Sequence, residues 1–257
     1  MNQLSKTFKI SALSIGATFG VLAAMPTVAL AANTTAKDKE SAFCTNLTSS
    51  TGKVTGNLTA LEGKLTTAQA ERDSKLTGNR AKWDQEVKDS RAKADQQRQA
   101  QFTKLEAKAK TADQTAAVKA YESTIVSAVA TRRLAYDSAR ETFRQGVTTA
   151  ISSHRNGLGG QLSTFKAAVN SAVATAQASC QATPSNGPAI RTQLQADLKA
   201  AREAFQGGRK DDAKVGDTVK QLEATRNTSF KTADVSFDAT AKTARETLKA
   251  AFKGAAV

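Results

Sequence analysis

The chain has 257 residues with 37 Lys or Arg, 23 Asp or Glu and one His, giving a formal charge of +14 at pH 7. Two cysteines, one histidine and three prolines exclude a cysteine-dense scaffold, a histidine-rich metal site and a turn-rich β fold. Aromatics make up 5% of the residues, and no basic run interleaved with them forms a base-stacking groove.

Residues 1–31 read as a secretory signal. Lys6 and Lys9 form the basic start, Ile10 through Ala24 the apolar run, and Pro26 ends it. Ala29-Leu30-Ala31 then places small residues where a signal peptidase cuts. The run is short of the ~20 apolar residues a spanning helix needs. Cleavage after Ala31 leaves no N-terminal Cys for a lipid anchor and a mature chain, 32–257, of net charge +12. An exported protein is expected, in a periplasm, on a cell surface or outside the cell, with no transmembrane segment in the mature chain.

The mature chain is predicted to be all-α. Ala, Lys, Gln, Leu, Arg and Glu dominate, and no proline lies between Pro26 and Pro184. The first helix is predicted over about 38–110, from Leu47, Val54, Leu58, Leu61, Leu65, Leu76, Trp83, Val87, Phe102 and Leu105 at three- and four-residue steps. Trp83 shares this stripe with Leu76 and Val87, so it is assigned to the core. Lys82-Trp83-Asp84-Gln85-Glu86-Val87-Lys88-Asp89 otherwise reads as a solvated, ion-paired face.

The second helix, about 113–181, carries Tyr121, Ile125, Val129, Tyr136, Phe143, Val147, Leu158, Leu162, Phe165 and Val169 in the same spacing. The third, about 188–254, carries Ile190, Leu194, Leu198, Phe205, Val215, Val219, Leu222, Phe230, Phe237 and Leu248. Many intervening stripe positions are Ala, Thr or Gln, so the expected core is thin.

In an oxidising compartment Cys44 and Cys180 should pair, and no other pairing is available. They are equidistant from residue 112, so a bond between antiparallel helices places a reversal near Lys110-Thr111-Ala112-Asp113, with Thr111 or Asp113 as N-cap. Pro184-Ser185-Asn186-Gly187-Pro188 marks a second reversal. Three segments of about 70 residues follow, and at 1.5 Å per residue they make an elongated, coiled-coil-like bundle about 100 Å long. Gly157, Gly159 and Gly160 then fall level with Gly207 and Gly208, which makes them a candidate hinge: a shared kink, or a shared break with helices resuming in phase. Five or six shorter helices folding back at those glycines is the alternative.

No catalytic, cofactor or metal constellation is present. His154 sits among Ser152, Ser153 and Arg155 without Cys, Asp or Glu at helical spacing, and Gly157–Gly160 lacks the Lys-Ser/Thr tail of a phosphate loop. The charge is spread at about +5, +3 and +4 over residues 32–110, 111–187 and 188–257. Residues 44–70 and 146–181 are poor in charge and should lie together at the disulfide end, either as the most buried helix faces or as a weakly polar docking face. The sequence therefore points to a non-enzymatic envelope or surface component, a spacer, adhesin or scaffold. A protein or an anionic envelope polymer is the expected partner class, nucleic acid is disfavoured, and a homodimer would thicken the thin core. A secreted nucleic-acid- or polyanion-binding protein is the alternative.

Overall fold

The computed structural model describes residues 36–211 and 215–253, and the predicted signal segment, 1–31, lies outside them. The described chain is all-α. α1 spans Ala36–Glu106, α2 Ala112–Ala182, α3 Gly187–Asp211 and α4 Val215–Lys253, with a 3-10 turn at Pro184–Asn186. α1 and α2 have 71 residues each, matching the segment length expected from the two reversals.

The third predicted helix, 188–254, is instead two, α3 of 25 residues and α4 of 39. They bound residues 212–214, which fall outside the described residues. Gly207 and Gly208 lie just before the end of α3, where two residues of low helix propensity weaken the last turns. The same reasoning does not carry to α2, whose helix continues without interruption through Gly157, Gly159 and Gly160. Flanking packing by Ile151, Leu158 and Leu162, half-buried or buried in turn, offsets the propensity cost there.

Both reversals have local causes. At the first, residues 107–111 connect the helices a few residues earlier than predicted, and Thr111 is the cap. Its hydroxyl accepts from the Gln114 amide at 3.2 Å, while the Gln114 side chain accepts from the Lys110 amide at 2.8 Å. Thr111 is thus the N-cap, and the Gln114 side chain, held back over the turn by the Lys110 amide, is buried. At the second, Pro184 has no amide proton to continue the α2 ladder, and the Asn186 amide donates to Thr183 at 3.0 Å to form the short turn. Pro188 then occupies the first turn of α3, where a missing N–H costs nothing.

The chain divides into two compact units. Unit 1 combines α1 up to Asp73 with Ile151–Gly216, and unit 2 combines Ser74–Ala150 with the chain from Asp217 onward. In unit 1, Phe43 and Leu47 from α1, Ala172, Ala176 and Cys180 from α2, and Ile190 and Leu194 from α3 form one core cluster. Leu58, Leu162, Phe165, Val169, Ala201 and Phe205 form a second. In unit 2, Phe102, Ile125, Ala241 and Ala244 play the same part, one layer from each of three helices. Each unit is thus a three-helix packing in which α2 runs antiparallel to its neighbours.

Candidate functional site

Six of the twelve ion pairs of the described residues join different helices, and the other six lie within one turn of a single helix. In unit 1, Lys166 donates to both carboxylate oxygens of Glu62 at 2.8 and 2.9 Å, and Arg155 makes a bidentate pair with Asp73. In unit 2, Arg144 pairs bidentately with Asp84, Arg91 with Asp137 at 2.9 and 2.6 Å, and Arg133 with Asp95 at 3.0 and 2.7 Å. Every one of these five pairs joins α1 to α2, and every one is symmetric about position 114. Along α1 the members are 11 residues apart in unit 1, then 7 and 4 apart in unit 2, which are three, two and one helical turns. The pairs hold the carboxyls of Asp73, Asp95 and Asp137 below the usual carboxylate range, in each case chiefly through the hydrogen bond from the arginine.

Unit 2 also contains an arginine–aromatic stack. The Arg140 guanidinium lies 4.1 Å from the centre of the Trp83 ring and 5.5 Å from those of Tyr136 and Phe230. Tyr136 and Phe230 stack face to face with centroids 4.1 Å apart. Arg226 covers Phe143 at 4.7 Å, and Arg132 covers Phe237 at 4.6 Å. Such contacts let a core too thin in aliphatic side chains use guanidinium planes as filler. Burial pulls Arg140 below its ordinary value, with the neighbouring Arg91 charge adding to it. Tyr136 donates to Asp234 at 2.8 Å, and burial together with that bond pushes its hydroxyl up to about 12.

A division between the two cations follows. In unit 2, eight of nine arginines are half-buried and engaged with carboxylates, backbone or rings; Arg245 is the exposed exception. All thirteen described lysines of unit 2 are exposed, and only Lys220 and Lys242 have an ion-pair partner, each within one turn of its own helix. Arginine builds this unit and lysine coats it.

The sequence-predicted residues are placed as follows. Cys44 and Cys180 form the disulfide, with Cα atoms 5.5 Å apart across a sequence separation of 136. Cys180 belongs to the first core cluster of unit 1, and Cys44 packs against it. Gly208 lies against α2 beside the other glycine cluster: a Cβ on it would lie 3.3 Å from the side chain of Gln161, the residue following Gly160. Gly159, Gly160 and Gly207 face open space. His154 is half-buried on α2, one residue before the Arg155–Asp73 pair. No group of three or more His, Cys, Asp or Glu that could hold a metal occurs among the described residues, and none of their helices is long and apolar enough to cross a membrane.

At the charge-poor end of unit 1 a shallow groove of about 850 Å³ is lined by Thr51, Gly52, Thr55, Gly56, Thr59 and Ala60 of α1 with Val173 and Gln177 of α2. No lining residue is charged, and Gly52 and Gly56 would admit a Cβ without contact.

No protein-family model, curated protein or solved structure matches the chain.

Sequence reasoning missed the arginine–aromatic stack and the cross-helix pairing. Asp84 is exposed and ion-paired, as its charged surroundings in the sequence suggest, but its partner Arg144 lies across the helix pair, and Trp83 beside it lies under Arg140 and Arg144. One signal was available: acidic and basic residues placed symmetrically about the reversal. It is only visible once the two helices are known to be antiparallel.

Proposed function

We propose that this chain is a non-enzymatic, exported structural or interaction component of a cell envelope, a spacer, adhesin or scaffold of coiled-coil-like helices. One observation carries the reading: the arginines and aromatic rings of unit 2 are spent on holding helices together, leaving a surface on which exposed lysines outnumber exposed carboxylates. A unit built this way presents a packed core with a soft positive coat, which suits contact with a partner better than turnover of a substrate. The disulfide that closes the α1–α2 pairing of unit 1 is consistent with service in an oxidising compartment.

The test is fractionation of native cells followed by a graded salt wash of the envelope. Retention with the envelope and release at moderate salt supports the reading, and protein found free in the medium overturns it. The second reading, a secreted polyanion-binding protein, is favoured by the eleven unit 2 lysines that have no ion-pair partner. It predicts binding to polynucleotide whose affinity falls steeply with salt, since each neutralised phosphate adds to the salt slope.

A further inference from the structure

The lysine coat of unit 2 is not uniform. α4 runs antiparallel to α2: Leu222 lies against Gly146, Phe230 on Tyr136, and Ala241 and Ala244 pack with Ile125 and Phe102. The last turns of α4 therefore finish beside the α1–α2 reversal. Lys249 and Lys253, with Arg245, arrive at the same end as Lys104 in the last turn of α1, Lys108 and Lys110 in the connection, and Lys119 early in α2. These side chains are well over a hundred residues apart in sequence, which is why the charge looked evenly spread there. All seven are exposed, and none has an ion pair. The carboxylates at this end are Glu106, Asp113, Glu122 and Glu246, and Glu246 is already engaged with Lys242.

We propose that this end of unit 2 is a docking face for an anionic lipid bilayer, an inference that rests on the envelope reading above. Charge complementarity is the first reason. The second is shape: three helix ends finish together and form an end face, which a charged plane can meet with all its lysines at once and a single strand cannot. The third is residue type. Arginine is the side chain for bidentate, oriented phosphate recognition, and unit 2 has committed nearly all of its arginines elsewhere; lysine, a mobile point charge, suits a fluid layer of headgroups. Nor is there a ring for base stacking, since Tyr121 is turned edge-on to Phe102 with centroids 6.2 Å apart and Phe252 is half-buried.

The purified protein is tested by co-sedimentation with neutral phosphatidylcholine vesicles and with vesicles in which part of that lipid is replaced by phosphatidylglycerol. Two charge-matched variants are compared, K104Q/K108Q/K119Q/K249Q at the end face and K75Q/K82Q/K88Q/K93Q along α1. The protein should bind anionic vesicles only, and more weakly as salt rises. With a few-fold in affinity per surface lysine, the end-face variant should lose about a hundredfold and the α1 variant no more than about threefold. Arginine at the same four positions should keep binding within about threefold. Should the end-face variant lose its helical circular dichroism, K108Q and K249Q singly must each weaken binding several-fold. Equal loss in both quadruple variants, equal binding to neutral vesicles, or binding to polynucleotide but not to vesicles overturns the proposal. Envelope retention in cells without vesicle binding sinks the lipid face alone; vesicle binding by a protein found free in the medium sinks the envelope reading alone.

Discussion

Removing the Cys44–Cys180 bond is the perturbation whose size the structure fixes best. The bond closes a sequence separation of 136 residues. In the chain-entropy treatment a loop of that length is worth about 5 kcal/mol at 25 °C. If Ser74–Ala150 stays folded in the reduced chain, only the arms from Cys44 to Asp73 and from Ile151 to Cys180 are released, and the same relation gives about 4 kcal/mol. Either value is a large part of the ~5–15 kcal/mol that holds an ordinary domain together. The α1 arm of unit 1 adds little helix propensity of its own to offset the loss: it contains Gly52, Gly56 and Gly63, none of which would meet a neighbour even with a side chain. Guanidinium unfolding followed by circular dichroism, with and without reductant, should show the midpoint fall by more than about 0.5 M. A C44A/C180A variant should reproduce the shift. Amide exchange should accelerate first around Phe43, Leu47 and Ala176, and least around Phe102 and Ile125. An unchanged midpoint, with free thiols demonstrated by alkylation, refutes the reasoning, and so does loss of protection that begins in unit 2.

Reversing Asp95 to Arg sets a like charge among Arg91, Arg98 and Arg133; it should cost about 1 kcal/mol in urea unfolding, and R133D in the same chain should recover most of it. Gly56→Ala should raise the melting temperature, adding up to about 1 kcal/mol, because the new methyl meets open space. A fall instead means that the groove is covered in solution by a second copy, which sedimentation would show as a concentration-dependent mass. Acid should destabilise the fold: Asp73, Asp95 and Asp137 have folded-state values below the ordinary 3.8, so their stabilisation is present above that value and is lost as pH falls through the lowered ones. The melting temperature should drop from about pH 4 downward. Glu122 has the opposite sign: burial and the nearby Glu106 charge raise it, so Glu122→Gln should raise the melting temperature at pH 7 and lose that advantage in acid.

The helices were legible because their cause is local. Composition and the three-and-four stepping of residues such as Leu58, Ile125 and Leu194 specify helix and a buried face without knowledge of the partner. The disulfide was legible because only one pairing exists. The helix predicted over 113–181 does run on through Gly157, Gly159 and Gly160, since propensity is a weak term against packing along a long helix, while α3 has its described end at Asp211, shortly after Gly207 and Gly208. What stayed hidden was non-local. A half-buried arginine and a surface arginine are the same letter, so Arg140 over Trp83 cannot be told from the exposed Arg245 until the helices are packed together.

The pairing about position 114 constrains how such a chain can change length. Deleting one residue from α1 turns everything beyond it by about 100° and moves it by 1.5 Å, which takes Asp84 or Asp95 away from its arginine. A lone deletion in α2 does the same from the other side. Only matched changes in both helices, in whole-turn steps of about 7 or 11 residues, leave each acid opposite its base. Relatives of this protein should therefore come in discrete sizes, with α1 and α2 lengthened or shortened together.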